Sequence, residues 1–354
     1  MSSAWDWIGE YTDAALQESN GPKLRLCMFS VWAEQIPPSD PASKLAMFAQ
    51  GTALARQLKE PWWEMFYTHW EIETLLHKQA RPQEALAVAA RANVEIRKPI
   101  YDHFPQRCAL QLNLVSCYLY LDPIGYETQL REAFAPLKAE CAQWSEFQCY
   151  YAQQWGHFLN DIEDDGALDA AWEYLRLAQI SATAWDLKCA LTLLCLVLWR
   201  EHPDLAHQIG GEIAADCEVL AREEDQLDDI AMMQMWQAVS ARSHGDEAAA
   251  QSFYNRAWQT QKRAPAPRND VHGAAMKFHE LSGETERALQ ICQNEIRILR
   301  RHKLRFLETK RRLKKCELLK QLERPLNREI ARARAAASEL KSRAHWEAKL
   351  DALA

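Results

Sequence analysis

The chain is built from repeated pairs of apolar helical segments, and this repetition constrains its fold more than any other feature. The sequence contains eight copies of one pattern, and each copy follows a predicted helix end. In each copy a small residue comes first and larger apolar residues follow at helical spacing. The clearest copies are HGDEAAAQSFYNRA at 244–257, SGETERALQICQNE at 282–295, DGALDAAWEYLRLA at 165–178 and RPQEALAVAARA at 81–92. Weaker copies begin near residues 41, 126, 203 and 325.

Anchor residues, most of them alanine, mark the period of the repeat. They are Ala46, Ala85, Leu130, Ala171, Ala206, Ala250, Ala288 and Ala331, at a mean spacing of about 41 residues. A second apolar segment precedes each copy, as in WWEMFYTHWEIETLL at 62–76. The unit is therefore a helical hairpin. A repeat of this length predicts an all-α solenoid of about eight hairpins, each stabilised by its neighbours.

Proline and glycine stand at the predicted boundaries between hairpins. Pro82 and Pro203 follow two breaks, where proline suits the first turn of a helix. Gly166 and Gly283 stand where a left-handed cap would end the preceding helix. Glycine is otherwise scarce, at 11 of 354 residues, which disfavours a sheet protein with many tight turns.

The strongest copies resemble the tetratricopeptide repeat, whose second helix has glycine, then alanine, an aromatic residue and alanine at fixed spacing. Gly245, Ala250, Tyr254 and Ala257 match all four positions. The period exceeds the family's usual length of about 34 residues, so the chain resembles a degenerate, bacterial type. The resemblance implies a right-handed superhelix (an α-solenoid) whose concave groove binds a protein or peptide.

Counting back from the anchors with the family's geometry gives nine residues in first helices that would line the groove. They are Tyr67, Trp70, His77, Lys78, Gln153, Asn160, Lys188, Arg242 and Lys277. Aromatic side chains would anchor the partner, and polar ones would bind its extended backbone. Most of the fourteen tryptophans are expected in the core, where each buries a large apolar surface.

Charge divides the chain near residue 295. The predicted array, 1–295, is acidic, whereas 296–354 holds 18 basic and 7 acidic residues. We interpret 296–354 as a basic last hairpin and a C-terminal helix, continuous with the array. The basic segment within it comprises Arg297, Arg300, Arg301, Lys303, Arg305, Lys310, Arg311, Arg312, Lys314 and Lys315.

Two interpretations of the basic segment are open. It could bind nucleic acid or another polyanion. Alternatively, its charges pair with acidic stretches of the same array, such as 161–169 and 222–229. We slightly favour internal pairing because nucleic-acid binders are more usually basic overall, and this chain has a net charge of −7.

The final stretch, 318–354, resembles the helix that joins tetratricopeptide sensor domains to output domains in bacterial signalling proteins such as diguanylate cyclases. No GGDEF-like sequence follows it. One hypothesis is therefore a ligand- or peptide-responsive sensor without its output domain. A capping helix, which a solenoid needs at its end, is the interpretation we favour.

The sequence gives no pattern typical of a catalytic or metal site. It contains no HExxH, GxxxxGK[ST], GxSxG or GxGxxG motif. Its ten cysteines include no CxxC pair, as expected in a reducing cytosol. The longest apolar run, 189–199, is too short to cross a membrane. We expect a cytoplasmic, non-enzymatic scaffold or adaptor that needs no cofactor and binds a protein or peptide partner.

Overall fold

The computed structural model describes residues 3–37, 40–181, 183–223, 227–263 and 271–353, and within them the chain forms helices and no strands. The first helices are α1 (Asp6–Gln17), α2 (Gly21–Glu34), α3 (Pro41–Leu58), α4 (Pro61–Glu73), α5 (Pro82–Glu95), α6 (Arg107–Leu121), α7 (Glu127–Cys141), α8 (Ser145–Asp161) and α9 (Ala167–Ser181). They are followed by α10 (Ala184–Glu201), α11 (Pro203–Glu223), α12 (Leu227–Ser243), α13 (Glu247–Arg263), α14 (Val271–Leu281), α15 (Thr285–Arg301), α16 (Arg305–Gln321), α17 (Asn327–Ala337) and α18 (Arg343–Asp351). A π-helical turn, Thr74–Lys78, continues α4, and a 3-10 turn, Pro99–Tyr101, follows α5.

The predicted all-α class is confirmed for the described residues. The eight sequence copies coincide with the odd-numbered helices from α3 to α17, and consecutive helices pack against one another through most of the chain. Pro41, Pro61, Pro82 and Pro203 each provide the first residue of a helix, as expected from the fixed φ of proline. No helix in the described ranges is long and apolar enough to span a bilayer.

Two of the three glycines placed at breaks adopt the left-handed conformation, and one does not. Gly245 and Gly283 have φ of +78° and +68°. The cap predicted at Gly166 is wrong, because Glu163 takes φ of +59° instead and ends α8 earlier. Gly166 donates its N–H to Asp164 Oδ1 at 2.9 Å, within the turn that follows. Residues other than glycine adopt the left-handed conformation only rarely, so a glutamate in the sequence does not indicate that a helix ends there.

Six of the eight predicted anchors have no exposed surface, which confirms the register of those copies. The anchors at Ala46 and Ala331 are wrong, because both residues are exposed. Helices α3 and α17 bury Gly51 and Ala333 instead. Alanine occurs on both faces of these two helices, so small size does not by itself identify the buried position.

The chain divides into two compact units, residues 1–121 with 127–154 (unit 1) and residues 122–126 with 155–354 (unit 2). The core of unit 1 includes α4, where Trp63, Phe66 and Tyr67 are buried. Gly51 allows α3 to approach this aromatic surface. A Cβ at that position would lie 2.7 Å from the Tyr67 ring, closer than two carbon atoms can pack.

Helix α1 is attached to the core of unit 1 by a buried glutamine. Trp7 Nε1 donates to Gln106 Oε1 at 2.7 Å, and Gln106 Nε2 donates to the Ala4 carbonyl at 2.6 Å. The Ser3 hydroxyl donates to Glu146 at 2.6 Å. These bonds hold the start of the chain beside α4, α6 and α8.

Helix α12 is the most enclosed part of unit 2 along its length, since residues 230–240 are all buried. Trp236 of α12 stacks on Trp199 of α10, with ring centroids 5.6 Å apart. Glu218 of α11 is also buried and accepts hydrogen bonds from Gln234 and Gln237 at 2.9 and 2.6 Å. No sequence pattern indicates this polar contact inside an apolar layer.

The last helices of unit 2 fold back onto residues 122–126. Asp122 is buried and accepts the Ser342 N–H at 2.8 Å and its hydroxyl at 2.6 Å. The Trp346 ring packs edge-on against Phe306, with centroids 5.7 Å apart. The C-terminal stretch is therefore packed against its own unit.

Two sequence-based expectations about this region need adjustment. The stretch 318–354 is not one continuous helix, because the chain turns at 338–342 between α17 and α18. The predicted boundary between residues 295 and 296 falls inside α15. The sequence therefore changes from mainly acidic to mainly basic within one continuous helix.

The buried anchor Ala250 provides a test of hairpin register. Ala250→Leu should lower the free energy of unfolding by about 1–3 kcal/mol, because added atoms overpack a contact with no free space. Gln251→Leu, at the exposed neighbouring position, should change it by less than about 0.5 kcal/mol. Urea denaturation followed by circular dichroism measures both. Equal midpoints for the two variants would contradict the register.

Candidate binding site

The candidate site of unit 1 lies where α4 passes into the π-helical turn. In this turn the Gln79 N–H bonds to the Thr74 carbonyl at 3.1 Å, five residues back, and Ala80 takes φ of +51°. One extra residue per turn shifts the direction of the side chains that follow. Such π-helical turns are rare and occur frequently at functional sites.

Below the turn, a buried histidine is fixed to the neighbouring helix α6. The Asn113 Nδ2 group donates to the His69 carbonyl at 3.2 Å, so Asn113 Oδ1 faces His69 Nδ1, 3.1 Å away. Because an amide oxygen only accepts, His69 carries its proton on Nδ1. Burial lowers the pKa of His69 despite the nearby Glu73 carboxylate. His69 is therefore neutral near pH 7 and holds α4 and α6 in register.

The Glu73 carboxylate is the centre of the site. Its Oε1 accepts a hydrogen bond from the Tyr150 hydroxyl, with 2.9 Å between the two oxygens, and its Oε2 lies 3.3 Å from His77 Nε2. The Ser116 hydroxyl lies 3.3 Å from the Tyr150 oxygen and supports it from α6. Burial raises the pKa of Glu73, and this outweighs the opposing effects of His69 and Tyr150. Glu73 keeps 22% of its side-chain surface exposed, so it is reachable from solvent.

His77 connects this carboxylate to the surface. Its Nδ1 lies 2.6 Å from the Tyr120 hydroxyl, and the two rings meet edge-on. A neutral ring with its proton on Nε2 satisfies both contacts, donating to Glu73 and accepting from Tyr120. Trp70 lies one turn before Glu73, stacked on Trp5 at 6.4 Å. We call Trp70, Glu73, His77, Tyr120 and Tyr150 the Glu73 face.

This face combines exposed hydrogen-bonding groups with aromatic surface. The Glu73 carboxylate keeps acceptor capacity beyond its two contacts, whereas the His77 ring and the two tyrosine hydroxyls are fixed by contacts within the face. Because each group is held by another, the face is ordered before any partner arrives, which lowers the entropy cost of binding. It is chemically suited to hold polar backbone and aromatic or aliphatic side chains.

Four of the nine predicted groove residues lie on or beside the Glu73 face. Trp70 and His77 belong to it, and Lys78 is exposed at the end of the π-helical turn. Gln153 is half-buried on α8, one turn beyond Tyr150. The structure brings these positions together from two helices that are distant in sequence.

Two predicted groove residues are wrong because they are buried. Tyr67 has no exposed surface, and its hydroxyl donates to the Leu26 carbonyl. Lys188 is 2% exposed, with its Nζ 2.5 Å from Asp229 and 3.6 Å from the centre of the Trp185 ring. Counting from the anchors assumes loops of equal length. Where a loop differs by one or two residues, the position predicted to face the groove faces the core.

The other three predicted residues lie in unit 2. The Asn160 carbonyl accepts a hydrogen bond from Arg200, and Arg242 lies 3.0 Å from Glu247 and 4.1 Å above the Phe278 ring. Lys277 is half-buried on α14. Whether the seven remaining positions belong to one groove stays a prediction.

The basic segment divides into two parts with different surroundings. Six of its ten residues lie within 4 Å of carboxylates of unit 2: Arg305 of Glu308 and Glu339, Lys310 of Asp161, Arg311 of Glu295, Arg312 of Glu308 and Glu329, Lys314 of Glu280 and Glu317, and Lys315 of Glu329. The other four, Arg297, Arg300, Arg301 and Lys303, are exposed. Polyanion binding would therefore depend mainly on these four residues. The acidic stretch 222–229 lies partly outside the described residues.

Sequence reasoning missed Glu73, Tyr120 and Tyr150. One signal could have found the first of them, since His69, Glu73 and His77 recur every four residues within an aromatic-rich helix. That spacing places three titratable groups on one helix face. Nothing in the sequence could have shown that α6 and α8 supply the tyrosines.

Comparison with known proteins adds no relative, since no protein-family model and no curated protein matches the chain. Among the residues that the structure describes, no group of three or more histidines, cysteines or carboxylates could hold a metal ion. The functional inference therefore depends on the geometry of the face itself.

Internal ion pairing of the basic segment can be tested with two matched double variants. Arg311→Gln/Arg312→Gln should lower the free energy of unfolding by about 3 kcal/mol or more, because the buried Glu308 and Glu329 would each lose the buried one of their basic partners. Arg300→Gln/Arg301→Gln should change it by less than about 0.5 kcal/mol. High salt should not reproduce the destabilisation expected of Arg311→Gln/Arg312→Gln, since buried charges are poorly screened. Equal urea midpoints for both variants would refute internal pairing.

Glu329 makes part of this stability dependent on pH. Burial alone would raise the pKa of Glu329, but its ion pairs with Lys315 and Arg312 outweigh burial and lower it. A lowered folded-state pKa gives stability that is present above the unfolded value, near 4.5, and lost as the pH falls through the folded value. Glu329→Gln, which resembles the protonated acid, should therefore destabilise the protein at pH 7 and progressively less below pH 4.5. A difference in urea midpoint that stayed constant with pH would argue against this.

Proposed function

We propose that the chain is a non-catalytic scaffold or adaptor that holds a protein or peptide segment against the Glu73 face of unit 1. The observation that carries the proposal is the Glu73 carboxylate, partly exposed and fixed between His77 and Tyr150. Tryptophan and tyrosine are the residue types that most often dominate binding energy at protein interfaces. Trp70, Tyr120 and Tyr150 place three of them around one polar centre.

An extended peptide fits this chemistry better than a small molecule does. Its backbone presents N–H groups at regular intervals, which match the carboxylate acceptor of Glu73. Gln153 and Lys78 extend the polar surface on either side. Because the face is rigid, it loses little conformational entropy on binding. Most of the entropy lost on binding would be that of the partner, which becomes ordered.

We further propose that the hairpins are of the tetratricopeptide type and wind into a right-handed superhelix, as the resemblance implies. Support comes from the best copy, in which Ala250 and Ala257 are fully buried and Tyr254 stacks on Phe278 with centroids 4.6 Å apart. Gly245 ends the preceding helix in the left-handed conformation. The burial of the two alanines and the turn at Gly245 support this proposal.

A reducing compartment, such as the cytoplasm, fits the cysteines. All ten are buried and carry free thiols. In oxidising compartments thiols tend to form disulfides. We propose that the protein works where thiols stay reduced.

The proposed binding face can be tested by site-specific photo-crosslinking in extract of the native cells. A photoreactive residue at Gln153, beside the face, should form a discrete adduct with a partner, whereas one at Val94, 68% exposed on α5, should not. His77→Ala should reduce the adduct at position 153 by about tenfold, a loss of roughly 1.4 kcal/mol in binding. Lys98→Ala, another exposed residue of unit 1, is the matched control and should leave it unchanged. Equal adducts at 153 and 94, or an adduct insensitive to His77→Ala, would refute the proposal.

A further inference from the structure

A small cavity lies at the opposite end of α4 from the Glu73 face. It has a volume of about 230 Å³ and is lined by Trp7, Tyr11, Glu60, Pro61, Trp62 and Trp63. The first two residues come from α1 and the others from the start of α4. The cavity is smaller than the pockets of about 300–1,000 Å³ that hold drug-sized ligands. Its size suits a compact chemical group.

Four aromatic rings form the walls of this cavity. Trp7 meets Trp62 at 5.7 Å and 88°, and meets Trp63 at 5.1 Å and 65°. Tyr11 meets Trp63 at 5.4 Å and 65°. The ring planes therefore cross instead of forming one parallel stack. Aromatic faces carry negative partial charge and attract cations, and cages of such rings recognise quaternary ammonium groups.

Glu60 adds a formal negative charge to the cage. It is the N-cap residue of α4, but its side chain makes no capping hydrogen bond. Burial and the negative charge of Glu60 raise the pKa of Tyr11, which stays a neutral phenol. The start of a helix carries positive partial charge, so without Glu60 the cavity would repel a cation.

Lys23 is a basic side chain beside this cage. Its Nζ lies 5.7 Å from the centre of the Tyr11 ring and pairs with Glu18 at 3.1 Å. It is held outside the residues that line the cavity. The Tyr11 ring thus already attracts one ammonium group in the folded protein.

Two cage residues carry a buried polar atom with no hydrogen-bond partner among the described residues, the Tyr11 hydroxyl and Trp63 Nε1. The Trp62 indole N–H donates to the Ile100 carbonyl at 3.0 Å, and that of Trp7 donates to Gln106. Trp63 is 1% exposed, and its buried Nε1 has no hydrogen-bond partner among the described residues. Buried polar groups are nearly always hydrogen-bonded. Trp63 lines the cavity, so its unpartnered indole N–H is open to an acceptor that arrives with a ligand.

We propose that this cavity binds a quaternary ammonium group, with the cation against the rings and Glu60, and an oxygen of the same molecule accepting from Trp63 Nε1. Two sources share this chemistry, a free compound of the choline or betaine class and a trimethylated lysine side chain of a peptide. The proposal does not depend on the Glu73 face, because the two share no residue.

Calorimetric titration of the full chain tests the proposal with four probes: choline, glycine betaine, N-acetyl-trimethyllysine amide and 3,3-dimethylbutan-1-ol, the neutral isostere of choline. At least one cation should bind saturably and about tenfold or more tighter than the neutral isostere, within the range of desolvated cation–π contacts. The tightest probe identifies the source. Equal binding of the isostere, or no saturable binding of any cation, would overturn the proposal.

Glu60→Gln should weaken cation binding about fivefold or more, since it removes the only carboxylate of the cage. Glu64→Gln is the matched control, one turn along α4 and paired with Arg56 away from the cavity, and it should bind as the parent does. Parent affinity in Glu60→Gln would overturn the assignment of the site. If that variant failed to fold, the comparison of choline with its neutral isostere on the parent chain would decide by itself.

Discussion

Close approach of helices at small residues is the constraint on which the rest of the structure depends. A hairpin leaves an apolar face that only its neighbours can cover, and they cover it fully only where no large side chain keeps the helices apart. Ala85, Ala171 and Ala250 have no exposed surface for this reason. Gly51 extends the rule, because it lets α3 rest on the ring of Tyr67. Large aromatics then fill the space between contacts, as Trp199 and Trp236 do in unit 2.

Buried carboxylates interrupt this apolar packing, and each is satisfied differently. Glu218 accepts from two glutamines, and Glu329 from Arg312 and Lys315. In both cases these bonds lower the carboxyl pKa against the effect of burial. Glu73 differs, because burial prevails and its pKa is raised. A group whose charge is incompletely compensated inside the protein is the kind found at functional sites, which is why the Glu73 face stands out from the structural networks.

Helix α4 carries both proposed sites, one at each end, because of how its neighbours are arranged. At its start, α1 supplies Trp7 and Tyr11 to the cavity. At its end, the π-helical turn redirects His77 toward Tyr120 of α6, while Tyr150 of α8 reaches Glu73. Side chains from four helices are needed, so neither site exists within a single hairpin.

The sequence by itself determined the helical class, the hairpin boundaries and six of the eight buried anchors, because these depend on local periodicity, proline and glycine, and residue size. It misplaced Ala46, Ala331, Tyr67 and Lys188. The face that a helix buries depends on how the neighbouring helices pack, and the loops between helices vary in length. It could predict that the basic segment pairs internally, but not that Arg312 would meet Glu329. Only the tertiary structure decided the Glu73 face and the tryptophan cavity, because both are made by residues far apart in sequence whose contact depends on how consecutive hairpins pack.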